Sequence, residues 1–106
     1  MATYLVLGQS NPSASTNTNL FTAPSTAIVS TIVVCNTGTS DTTFNIAIRP
    51  AGMTLTTQNY IASGAAIGAS QTLAMTLGIG LAATDVVTVY AGNGNVSFSA
   101  FGVENP

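Results

Sequence analysis

Hydrophobic and polar positions alternate with a period of two along most of the chain. No long stretch keeps the 3.6-residue spacing of an amphipathic helix. Thr43 to Arg49 is the clearest case: Phe44, Ile46 and Ile48 fall on one side, Asn45, Ala47 and Arg49 on the other. That is the signature of a strand with one dry and one wet face. Gln71 to Ile79 repeats it, with Leu73, Met75, Leu77 and Ile79 on one side. Ala27 to Asn36 sets Ile28, Ile32 and Val34 with Ser30 against Val29, Val33 and Cys35 with Thr31. Its β-branched density on both sides predicts a central strand covered on both faces. Thr3 to Gly8, also apolar on both sides, reads as a second buried strand. Leu20 to Ala23, Gln58 to Ser63, Asp85 to Ala91 and Val96 to Val103 complete the set.

The segments between are turn-formers. Pro24 stops one strand, Asn36 to Asp41 forms a turn cluster, and Pro50-Ala51-Gly52 ends another strand. Gly92-Asn93-Gly94-Asn95 contains an Asn-Gly step, which predicts a tight hairpin joining the last two strands. Residues 9–19, rich in Ser, Thr and Asn around Pro12, read as an ordered polar loop or arm. About eight strands at roughly 12-residue spacing predict an all-β fold. The expected architecture is one domain over 1–106, an antiparallel β-sandwich or jelly-roll-like barrel. Such a fold has sheet edges that are usually guarded by charge or proline. Here loops and bulges, or neighbouring subunits, must do that work.

Charge changes the picture most. Only 4% of the residues are Asp, Glu, Lys or Arg, namely Asp41, Arg49, Asp85 and Glu104, for a net charge of −2; an ordinary domain has about 25%. One arginine cannot neutralise a row of phosphates, so nucleic acid is excluded as a partner. A polybasic membrane-surface role fails for the same reason. The richest apolar run, Leu73 to Ala83, is well short of the ~18 residues of a membrane helix. The surface is therefore made of Thr, Ser, Asn, Gln, Ala and Gly, groups that cost less to desolvate than ions when two surfaces meet. Met1 to Leu7 lacks the basic region of a signal peptide, so synthesis in the cytoplasm is the default.

Candidate chemistry is sparse. There is no histidine to activate the many hydroxyls or Cys35, the single cysteine, which sits in an apolar run and reads as core filling. Asp41, Asp85 and Glu104 are dispersed, although Asp41 and Asp85 are free to meet in space; Asp85 also suits the turn before a strand. No Cys/His cluster or carboxylate cluster offers a metal site. The glycines at 78, 80, 92 and 94 lack the continuation of a nucleotide-binding loop and read as turn and bulge residues. The expectation is a protein that is not an enzyme and holds no cofactor or metal. Thr-x-Thr steps at Thr16, Thr37 and Thr54 are too irregular for an ice-binding array. Tyr4, Tyr60 and Tyr90 fit half-buried packing better than a sugar platform. Arg49, the only cation, and Tyr60 are the candidate interface residues.

Several segments, taken in order, resemble a family of small phage virion proteins, many from viruses of cyanobacteria. They are Leu20 to Pro24, Ser30 to Asn36, Phe44 to Gly52, Leu77 to Ala91 and Phe98 to Glu104. The resemblance implies a virion structural protein made in the host cytoplasm. A capsid decoration or cement protein bound over the major capsid protein is the leading form, as a homo-oligomer of β-sandwiches. A tail, baseplate or fibre component, with receptor or glycan binding, is the alternative it leaves open. It carries no catalytic residues to transfer.

Overall fold

Eight strands form where the period-two segments lie: β1 (Thr3–Ser10), β2 (Thr18–Thr22), β3 (Ala27–Asn36), β4 (Thr42–Arg49), β5 (Tyr60–Ile67), β6 (Thr72–Leu81), β7 (Val86–Ala91) and β8 (Val96–Glu104). The computed structural model describes residues 3–104. Met1, Ala2, Asn105 and Pro106, part of the single domain expected over 1–106, lie outside the described residues. The strands build two four-stranded sheets, sheet A in the order β1-β8-β3-β6 and sheet B in the order β2-β7-β4-β5. All pairings are antiparallel. Every connection except β4–β5 carries the chain from one sheet to the other, which is the jelly-roll arrangement.

The core lies between the sheets. Sheet A supplies Val29, Ile32 and Val34 of β3 with Val96, Phe98 and Ala100 of β8. Sheet B supplies Phe21 of β2, Phe44 and Ile46 of β4, and Val87, Val89 and Ala91 of β7. Phe44 and Phe98 meet edge to face across the middle, with centroids 6.1 Å apart and rings at 69°. Such a contact contributes about 0.5–1.5 kcal/mol beyond its burial. Asn36 ends β3 fully buried, and its side chain is answered on both sides: Nδ2 donates to the Ser40 carbonyl (2.8 Å) and Oδ1 accepts from the Gly38 amide (3.0 Å).

Several local expectations change. Val96 to Glu104 does not fold back on Val86 to Ala91; β7 pairs in sheet B and β8 in sheet A, so the segment 92–95 crosses between sheets instead of closing a hairpin. Neither Asn93 nor Gly94 has positive φ, so the backbone of a type I′ turn is absent. Tertiary pairing with β4 and β3 overrides a strong local signal. β1 and β3 are each wet on one face: Tyr4 and Ile28 are 61% and 53% exposed. In β3 the pairing with β8 skips a residue at Ser30, a bulge that brings Val29 and Ile32 to the same inner side. Gln58 lies in a short 3-10 turn, Thr57–Asn59, and the fifth strand starts later, at Tyr60. The polar excursion is shorter than 9–19, because β1 runs to Ser10 and β2 starts at Thr18. It is tied down: Asn11 Nδ2 donates to the Val96 carbonyl (2.8 Å) and the Ser15 amide to the Ala91 carbonyl (2.8 Å).

Two glycines mark where backbones touch. A Cβ on Gly102 would collide with the Ile28 carbonyl beside the β3 bulge, and one on Gly8 with the Leu20 carbonyl, where β1 meets β2 and closes that flank. Gly102→Ala is expected to cost at least about 2 kcal/mol. Gly80→Ala, whose new methyl would meet open space, is expected to be neutral or stabilising by up to about 1 kcal/mol. Urea denaturation of the two variants beside the parent checks both.

Candidate interaction surface

The ionic groups come first, because they are few. Arg49, at the end of β4, lies on the outer face of sheet B and reaches across it. Its Nε donates to Thr88 Oγ1 (3.0 Å), Nη2 to Asn19 Oδ1 (2.9 Å), and Nη1 to the Met53 carbonyl (3.2 Å). One side chain thus ties β4, β7, β2 and the loop after Pro50. Tyr60 opens β5 opposite Ala47 on this same face and is half-buried. The structure therefore brings the two candidates to one face. That face is also partly covered from within, since the 3-10 turn Thr57–Asn59 contacts β4 and Ala47 is buried.

Asp85 and Asp41 are both turn braces. Asp85 Oδ1 accepts from the Ala51 amide (2.9 Å) and Oδ2 from the Ala82 amide (2.9 Å), linking two turns in which Ala51 and Thr84 hold positive φ. Asp41 Oδ1 accepts from the Ala69 amide at 2.9 Å. The pairing of Phe44 with Ala91 and of Arg49 with Val86 puts these aspartates at opposite ends of the β4–β7 pair. At least the six paired residues from Phe44 to Arg49, a length of about 20 Å, lie between them, and they do not form a carboxylate pair. Cys35 is a correction. It is half-buried on the outer side of β3, in the row with Ser97 and Thr72, where it accepts a hydrogen bond from Thr72 Oγ1 (3.6 Å). The bulge at Ser30 is what leaves Val34 facing in and Cys35 facing out. Among the described residues no group of three or more His, Cys, Asp or Glu is placed to hold a metal ion, and no helix is long and apolar enough to cross a membrane.

The feature that sequence reasoning missed is the outer face of sheet A. Its strand register aligns Tyr4, Val103, Ile28 and Gly80 in one row and Val6, Phe101, Thr31 and Thr76 in the next. Neither row contains a charged residue. Tyr4, Val6 and Ile28 are all exposed. The phenol of Tyr4 is anchored by a 2.7 Å hydrogen bond with Ser30 Oγ in the bulge, so the ring is held rather than free. An open groove of about 590 Å³ runs off this patch, lined by Ile28, Gly80, Leu81, Ala82, Val103 and, at its polar end, Asp85. Gly80 makes that groove. It has no positive φ, and apart from its two chain neighbours nothing among the described residues approaches within 4 Å of where its Cβ would be. Neither a turn nor a close internal contact requires glycine there, unlike the turn and bulge role expected of it. A contiguous apolar patch beside a groove is the form an association surface takes.

Two outcomes follow for the ionic residues. Arg49→Ala should lower stability by about 1–3 kcal/mol, because it leaves Thr88, Asn19 and the loop carbonyls without their charged donor; Arg49→Lys recovers only part, lacking the planar fork. Thermal melts of both variants test this. For Asp85, the hydrogen bonds from Ala51 and Ala82 hold the carboxyl below its ordinary value of 3.8. A depressed folded-state pKa contributes stability above the unfolded value that disappears as pH falls through the folded one. Melts from pH 5 down to pH 2 should therefore show a steeper loss for the parent than for Asp85→Asn, and identical slopes would contradict the brace.

No known protein family, no curated protein and no solved structure matches the chain.

Proposed function

We propose that the chain is a structural protein of a bacteriophage particle, acting as a capsid decoration or cement module that docks on the major capsid protein. The observation that carries this reading is the outer face of sheet A: Tyr4, Val6 and Ile28 are exposed in two rows without charge on a hydrogen-bonded sheet. A free protein with so little net charge has weak means of keeping copies apart in solution. A protein fixed among many neighbours needs none. Uncharged apolar and hydroxyl surface is well suited to such contact, since little has to be desolvated at high cost.

Two further points support it. Jelly-roll sandwiches recur in virus shells as well as in lectins and cupins, an analogy at the level of fold only. The ordered likeness of Phe44 to Gly52 and Leu77 to Ala91 to small phage virion proteins adds the word phage. In this reading the chain is not an enzyme. Arg49, Asp41 and Asp85 shape the fold, and its work is adhesion repeated over many copies, where modest affinities combine. The chain would be made in the host cytoplasm and reside in the particle.

Quantitative stoichiometry of purified virions tests this directly. Hundreds of copies per particle are expected of a shell component. About a dozen or fewer would move the assignment to tail, baseplate or fibre, and absence from virions would overturn it.

A further inference from the structure

We infer that two copies of this chain pair edge to edge through β6, joining their A sheets into one eight-stranded sheet across a two-fold axis. The inference deepens the reading above by naming the surface for self-association, and rests on it only in taking the chain to be a repeated module.

The four sheet edges are not alike. β1 and β2 lie against each other, closing one flank. On the other flank, β5 is kinked: its register with β4 breaks twice, and Gly64, at positive φ, has its amide held by Asn45 Oδ1 (2.6 Å). β6 has no such protection. It is ten residues long, pairs only with β3, and contains neither a charged residue nor proline. Its side chains alternate without interruption from Thr72 to Leu81. Its register with β3 shifts once, opposite Ser30. A long neutral edge of this kind is a template for another strand.

The inner side of β6 is also unfinished. Leu73, Met75, Leu77 and Ile79 pack against the core yet stay only partly buried, while inward residues of the interior strands β3 and β8 are buried completely. Something laid along this flank would cover them.

A second copy fits on three counts. The large residues of β6 all fall on odd numbers and the small ones, Thr72, Ala74, Thr76, Gly78 and Gly80, on even numbers. Antiparallel pairing about any one residue therefore sets large opposite large and small opposite small, as an isologous interface requires. With Thr76 near the axis, Met75 faces Leu77 and Leu73 faces Ile79 of the other copy. The strand is neutral as well: with no ionic group on β6 itself, two identical edges meet without repulsion along its length. The flank, about 33 Å long and about two layers thick, presents on the order of 600 Å² per copy, close to the ~800 Å² per partner of a stable interface.

Sedimentation equilibrium and light scattering on the full chain test the pairing. The parent should be a dimer of twice 10.6 kDa. Thr76→Lys and Thr76→Glu, on the exposed side of β6, should each raise the dimer dissociation constant at least about tenfold, because like charges would face each other at the axis. An equimolar mixture of the two should restore the dimer. Ala74→Lys gives a second probe one step along the same face, and unchanged far-ultraviolet circular dichroism shows that each variant is folded. A parent that stays monomeric, or a Thr76→Lys protein as dimeric as the parent, would overturn the inference. Absence from virions would sink the function proposed above and leave a β6 dimer standing; a monomer present in virions at high copy would do the reverse.

Discussion

Scarcity of charge is the constraint on which the rest of this molecule depends. Four ionic side chains must serve a domain that ordinarily has several times as many, and three of them are engaged in holding the chain to itself. Arg49 ties three strands and a loop across the outside of sheet B; Asp85 joins two turns; Asp41 caps the turn leading into β6. The faces and edges are left to hydroxyls, amides and hydrocarbon. A surface of that kind is wetted without ions and is dried cheaply, which links the composition to association rather than to catalysis or to binding a polyanion.

Edge protection shows the same constraint in the backbone. Where other sheets carry lysines, this one uses geometry: the meeting of β1 with β2 at Gly8 and the broken register of β5 with Gly64. These devices cover three edges and leave β6. The bulge at Ser30, inside sheet A, shapes that sheet's outer face, because it receives the Tyr4 hydroxyl and turns Ile28 outward beside bare Gly80.

Much of the fold was legible in the sequence because period-two burial is a local property. β3 and β4 begin and end within a residue of the positions their pattern predicts, and the inward set Phe44, Ile46 and Ile48 is correct. What failed depended on contacts distant in sequence. The Asn-Gly step at 93–94 is a good hairpin signal, yet β7 and β8 each find better partners in different sheets. The two-sided apolar pattern of β3 does not reveal a bulge, so the pattern alone puts Ile28 and Cys35 in the wrong environments. Arg49 and Tyr60 stood out by residue type, and the structure does gather them on one face. The apolar rows on sheet A were not visible, because Tyr4, Val103, Ile28 and Gly80 come from four strands and only the register lines them up.

Salt dependence probes the neutrality of these surfaces most directly. The measurement is the association constant of the purified chain, with itself or with emptied shells, between about 0.05 and about 1 M NaCl, a range over which the Debye length shrinks from above 10 Å to about 3 Å. Contacts made by shape and hydrocarbon should hold their strength or gain slightly as salt rises. A fall of tenfold or more would mean that ion pairs carry the association and would contradict the central claim.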